Sequence, residues 1–335
     1  MAQIDKPNTQ MNTVLYTGNG STQSITGVNF QPDLVWYKSR SNAYNHGLFD
    51  VVRGASNFIQ SNSTDAEQVT SGVTAFDSDG FSVGTNAGGN ASGQTYVGWN
   101  WKAGGTASSN TDGSITSSVS ANTTSGFSVV GWTGTGATAT VGHGLGTTPK
   151  LFIVKERSEA RNWPVVTTAI DGSWDSLYLN LTDAVGTSPQ SADSSVFNFT
   201  SSNEFNASGQ TYISYCFANK AGFSRMGSYV GNGSADGTFV YTGFKPAFLM
   251  YKQSSASGES WIMHDNARNL FNVTNKRLLA NANNAEADEP IDFLSNGFKC
   301  RTSGAFQNAS GSTYIYMAFA ENPLVGTNGV PATAR

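Results

Sequence analysis

The chain has little charge, little cysteine and little proline for its length. Charged side chains are 13% of its 335 residues, where about 25% is usual. The 19 Lys and Arg, against 23 Asp and Glu, leave a net charge of −4. The cations stand singly, so no cluster exists to displace counterions from a nucleic acid. Cys216 and Cys300 lie far apart in sequence. That spacing excludes a disulfide scaffold or a four-cysteine zinc site, and both read as small buried side chains. No run approaches about 18 apolar residues, so no membrane-inserted helix is expected. The opening Met1-Ala-Gln-Ile-Asp-Lys-Pro7 has no apolar core and does not read as a signal peptide.

What is abundant is Gly, with 37 residues, together with Ser, Thr, Asn and aromatics at 12%. Enough Val, Ile, Phe, Tyr and Trp is present to build a core, so the chain is not disordered. The order of these residues repeats. Asn90-Ala-Ser-Gly-Gln-Thr-Tyr96 recurs as Asn206-Ala-Ser-Gly-Gln-Thr-Tyr212 and Asn308-Ala-Ser-Gly-Ser-Thr-Tyr314. Pro32 to Lys38 recurs as Pro149 to Lys155 and Pro246 to Lys252. An aromatic before a Gly-x-Gly turn recurs at Tyr16, Trp132 and Tyr229. From that aromatic to the Pro is 16, 17 and 17 residues, and from the Pro to the Asn 58, 57 and 62. Landmarks held in step three times imply three copies of a unit of about 95 residues. The division expected is an arm over 1–13, repeats over 14–104, 126–222 and 223–323 (the third beginning in earnest at 226), and a tail over 324–335. Between the first two repeats, 105–125 is rich in Gly, Ser and Thr and reads as a linker or a surface strand.

Each unit reads as a β-sandwich. After Tyr96, Tyr212 and Tyr314 the chain alternates with period 2 in Val97-Gly-Trp99-Asn-Trp101, Ile213-Ser-Tyr215-Cys-Phe217 and Ile315-Tyr-Met317-Ala-Phe319. The Pro-to-Lys strand is apolar on both faces, as a central strand should be. Asn-Gly and Asp-Gly pairs, such as Asn19-Gly20, Asp79-Gly80 and Asn296-Gly297, mark hairpins. The fold class expected is all-β: three tandem, jelly-roll-like β-sandwiches of six to eight strands each. Only 265–289 could hold one or two helical turns.

Chemistry is sparse. His46, His143 and His264 stand in different units and read as turn or surface residues. No Gly-x-Ser-x-Gly elbow occurs. A glycosidase needs two facing carboxylates, but the acids are dispersed, and Asp50-Val-Val-Arg53 and Asp265-Asn-Ala-Arg268 read as local ion pairs. Asp77-Ser-Asp79 offers oxygen ligands without the rest of a calcium loop. No catalytic residue, cofactor or metal is expected. The Asn-x-Ser/Thr sequons, including Asn90, Asn206 and Asn308, read as turns. Lys38, Lys155 and Lys252 read as snorkelling stems with wet ammonium groups.

The motifs Leu15-Tyr-Thr-Gly-Asn-Gly20, Phe30-Gln-Pro-Asp-Leu-Val35, Val141-Gly-His-Gly-Leu-Gly146, Pro149-Lys-Leu-Phe-Ile-Val-Lys155 and Tyr314-Ile-Tyr-Met-Ala-Phe-Ala-Glu-Asn-Pro323 resemble those of tail-fibre-like virion proteins of marine bacteriophages. The resemblance spans about 14–323. It implies a virion structural protein without enzymatic activity: a tail fibre or tail-associated appendage contacting the host surface. The alternatives are a capsid decoration protein or, more remotely, a glycan hydrolase. Partners would be other virion proteins and a host surface glycan, in a homo-oligomer, a trimer first of all, with neither nucleic acid nor membrane insertion. Trp163, Trp174 and Trp261 are candidate glycan contacts. Ile4, Pro7 and Met11 in the arm are candidate attachment residues.

Overall fold

The computed structural model describes residues 4–325 and 331–333. Among these the helical elements are one short turn at Pro7–Thr9 and one at Ala87–Asn90; the rest is strand and loop. The helical turns expected within 265–289 are absent. There the Asp265 carboxylate accepts from the Ala267 and Arg268 N–H groups at 3.1 and 2.8 Å, making an Asx turn. Strands Thr274–Leu279 and Ala287–Leu294 follow.

Three stretches pair their strands in one order. In the first, Met11–Thr17, Thr95–Trp101, Leu34–Ser39 and Gly47–Asp50 form an antiparallel sheet. In the second, Phe127–Thr133, Thr211–Phe217, Leu151–Glu156 and Pro164–Thr167 do the same. In the third they are Ser224–Val230, Thr313–Pro323, Phe244–Gln253 and Ile262–Asp265. A smaller layer faces each sheet: Gln23–Thr26 with Gly80–Val83, Ala139–Gly142 with Val196–Phe199, and Phe239–Tyr241 with Gly297–Cys300. Each stretch is therefore a two-layer sandwich.

Residues 105–125 are more than a linker. Ser108–Asn110 and Ser117–Asn122 add two strands to the edge of the second large sheet. Between them, Ser114 and Ile115 pair along the edge of the small layer, at Thr140 and Val141, while the Asn110 side chain lies over Gly142 on its outer face.

The Asn-Ala-Ser-Gly motif locks each sandwich. The Asn90, Asn206 and Asn308 side chains are fully buried. Their carbonyl oxygens accept from Asn19, Thr135 and Asn232 N–H at 3.0, 2.8 and 2.9 Å. Their amides donate to the carbonyls of Ser21, Ala137 and Ser234. The following Tyr96, Tyr212 and Tyr314 stack on Tyr16, Trp132 and Tyr229 with ring centroids 5.1, 5.3 and 5.0 Å apart. Gly18, Gly134 and Gly231 cannot carry a side chain, because a Cβ would stand 2.2 Å from a carbonyl of Ala91, Ala207 or Ala309.

Each central strand is apolar on both faces because it serves two cores. Val35 and Tyr37 fill the first sandwich with Val73, Phe81 and Val83. Leu34 and Trp36 point the other way, into a core to which all three sandwiches contribute. That shared core holds Trp36, Trp99 and Trp101 from the first, Ile153, Trp163 and Tyr215 from the second, and Met250, Trp261 and Met317 from the third.

The sandwiches close into a ring. Glu67 N–H of the first donates to Arg157 O of the second, Val185 of the second to Ser254 O of the third, and Glu286 of the third to Arg40 O of the first, each at 2.8 Å. The repeated Lys, placed two residues before each of these carbonyls, is enclosed. Lys155 Nζ donates to Glu156 O at 2.6 Å and across the boundary to Thr64 O at 3.2 Å. Lys252 donates to Gln253 O at 2.9 Å and across to Asp183 O at 2.8 Å. Lys38 donates to Ser39 O and Asn42 O. The ammonium groups are thus not wet: all three residues are fully buried, and desolvation pulls each down to about 8.

Candidate functional site

Most residues with chemistry in them are used by the ring itself. Trp163 and Trp261 are 0% and 1% exposed, which corrects their reading as glycan contacts. Their indoles donate across sandwich boundaries, Trp163 to Ser63 O at 3.0 Å and Trp261 to Tyr178 O at 2.8 Å. His46 occupies the corresponding place in the first sandwich, with Nε2 2.8 Å from Leu279 O. Trp174 is half-buried on the second sandwich's core, its ring 5.9 Å from that of Phe152.

The three histidines are all buried rather than exposed. Among the described residues no three His, Cys, Asp or Glu side chains gather as a metal set. Asp79 instead accepts from the Gly27 and Asn29 N–H groups at 3.1 and 2.6 Å. Cys216 and Cys300 are buried free thiols, pushed up to about 12 by desolvation. Residues 4–13 are not a free arm either. Ile4 and Met11 sit in the shared core, Pro7 is buried, and Met11 pairs with Trp101. An apolar residue alone in a polar stretch gave no sign that it would reach a core three sandwiches share. Of the tail, Val325 bridges to Pro331, while 326–330, 334 and 335 lie outside the described residues.

Of the large apolar side chains that remain exposed, six lie on the third sandwich, with Leu15 and Val69 on the first. Among the described residues the exposed aromatics are Phe239 at 44%, Tyr241 at 51% and Phe271 at 74%, with Val230, Leu270 and Val273 exposed in the same sandwich. Phe239 and Tyr241 alternate with buried Val240, so both rings stand on the outer face of the small layer, about 7 Å apart along the strand. The same register carries Ser24 and Thr26 in the first sandwich, and Thr140 and Gly142 in the second. One sheet face is therefore hydroxylic in one copy, covered in the next and aromatic in the third.

Glycine flattens this aromatic face. A Cβ on Gly297 would come 3.1 Å from the Phe239 ring, and one on Gly243 would meet the edge of Tyr241 at 3.6 Å. Ion pairs frame it. Lys299 meets Asp236 at 2.5 Å and holds that carboxyl below its usual range, and Arg301 meets Asp292 at 2.9 Å. The sequence signal was available: aligning the three small layers shows Ser-x-Thr, Thr-x-Gly and Phe-x-Tyr at one place.

A family model described as a domain of unknown function, DUF7483, matches residues 6–323. The chain belongs to this family. Neither the curated proteins nor the solved structures gave a significant match. The span of the DUF7483 match takes in all three sandwiches and the strands of 105–125, so the ring lies inside the family's domain.

Proposed function

We propose that this DUF7483 protein is a structural subunit of a bacteriophage virion, a tail fibre or tail-associated appendage that contacts the host cell surface. The observation that carries the reading is the confinement of the exposed aromatics, among the described residues, to the third sandwich. Large exposed apolar patches on a soluble protein mark interaction sites. A closed ring that uses its repeated lysines and buried acids internally suits a particle exposed to the medium. The motif resemblance supplies the virion context. A homo-oligomer, a trimer first of all, would multiply weak contacts, and avidity can exceed a single site by about 10²–10⁴-fold. The repeated carboxylates Asp50 and Asp265 are buried and paired with Arg53 and Arg268 at 2.6 Å, which favours binding without turnover. Since Ile4 and Met11 are core residues, attachment to the particle falls to the sandwich surfaces.

Adsorption measures this directly. Purified protein should block adsorption of the phage that carries it and release no oligosaccharide from host envelopes. Labelled antibody should mark the tail. A protein that coats the head in many copies and leaves adsorption untouched would replace this reading with capsid decoration.

A further inference from the structure

Beside Tyr241 the surface dips into a depression of about 350 Å³, lined among others by Arg225, Gly243, Leu324 and Val325. That volume is at the lower end for a small-molecule site and too small for a helix or a protein loop of any length. Arg225 is exposed on the edge strand Ser224–Val230, and its guanidinium acts on the hydroxyl of Tyr316. Tyr316 is itself buried, and it is a neutral partner. Among the described residues no carboxylate pairs with Arg225, whereas Lys245, Lys276, Lys299 and Arg301 of the same sandwich each have one. The depression thus offers an aromatic face, apolar walls and one guanidinium that no carboxylate among the described residues pairs.

We infer that this depression binds a carboxylate-bearing saccharide, its ring on Tyr241 and its carboxylate on Arg225. The inference rests on the host-contact reading and narrows the class of glycan. The apolar C–H face of a sugar ring packs on an aromatic side chain, as bases and other flat faces do. A guanidinium is matched in geometry to a carboxylate, and that charge-assisted bond is about twice as strong as a neutral one. A neutral sugar would leave the Arg225 charge unmatched. A protein partner would need the whole aromatic face rather than the dip at its end.

The test is titration of the full chain with galacturonate hexamer, guluronate hexamer and an N-acetylneuraminate oligomer, beside a neutral galactose hexamer. At least one acidic probe should bind, and the neutral one should bind at least about tenfold more weakly. R225Q and Y241A should each weaken the acidic probe by about tenfold or more. K276Q, at a surface lysine that does not line the depression, should leave binding unchanged. All three side chains are on the surface, so melting temperatures should stay at the parent value. No binding of any acidic probe, or undiminished binding by R225Q and Y241A, overturns the inference. Wild-type protein that blocks adsorption yet ignores every acidic probe sinks this inference alone. Saccharide binding without an adsorption block upholds it and sinks the host-contact reading.

Discussion

Arg268→Met should lower stability by about 3–5 kcal/mol, the range for removing one partner of a buried ion pair. Arg268 and Asp265 are fully buried and meet at 2.6 Å. The guanidinium also donates to Met263 O at 2.9 Å, approaches Glu286 at 3.4 Å and lies 5.7 Å over the Trp99 ring. Trp99 Nε1 donates to Asp265 at 3.0 Å, and Arg40 meets Glu286 at 2.9 Å. Removing the cation leaves Asp265 charged in a dry core. The first sandwich repeats the set toward the second: Asp50 with Arg53, Tyr215 donating to Asp50 at 2.9 Å, and Glu67 between Arg53 and Arg157.

The second sandwich shows what replaces it. Thr167, Ile170 and Val185 stand where Asp265, Arg268 and Glu286 stand in the third. Across that boundary are Met317 and Ser254 in the places of Trp99 and Arg40. Every member of the ionic set has changed together to a neutral one. Well-packed apolar groups can replace a buried ion pair at little or no loss. The combined variant D265T/R268I/E286V/W99M/R40S should therefore recover most of what R268M loses, as read from urea unfolding midpoints. A combined variant less stable than R268M alone would show that the two boundaries are not interchangeable.

Stability should fall steeply below pH 6.5, and His46 is one cause whose partners are plain. Its Nδ1 accepts the Trp36 indole N–H at 2.8 Å, and Nε2 faces Leu279 O. Both partners require the neutral ring, and a second proton would set N–H against N–H. Burial, with the nearby Lys38 charge adding to it, pulls His46 down to about 3. In the unfolded chain the value is near 6.5. Between those values the unfolded state binds a proton that the folded state refuses, so stability drops as pH falls. The loss is about 1.4 kcal/mol per pH unit for this residue, or about 3 kcal/mol by pH 4. His143 and His264 are lowered by burial as well and add in the same direction. H46Q, which can still accept from Trp36 and donate to Leu279, should flatten the dependence by about one proton. An unchanged slope in H46Q would remove His46 from the account. At the alkaline end the buried lysines have the same sign, so stability gains as pH rises from about 8 toward 10.5.

The sandwiches were legible because period-2 alternation and Asn-Gly turns are local signals. Burial of Leu34 and Trp36 opposite Val35 and Tyr37 was legible too, since an apolar strand on both faces needs two neighbours. What covers the second face was not. A pattern tells that Trp36 is buried, not that Trp99, Tyr215 and Met317 from three sandwiches meet there. For the same reason the sequence leaves Trp163 and Trp261 open to core packing or glycan contact. Their role becomes visible only when they align with His46, eight or nine residues after the repeated Lys, and all three reach a carbonyl of the preceding sandwich in the ring. Phe239 and Tyr241 escaped notice because a strand of three residues is too short to show which side is wet.

The central claim is that three sandwiches close on one shared core and hold the aromatic face of the third as part of a single body. Scanning calorimetry tests it most directly. A closed ring should melt in one transition, with a calorimetric-to-van't Hoff enthalpy ratio of about 1. Separate transitions, or a ratio approaching about 3, would mean that the sandwiches unfold independently and that the ring does not hold them together.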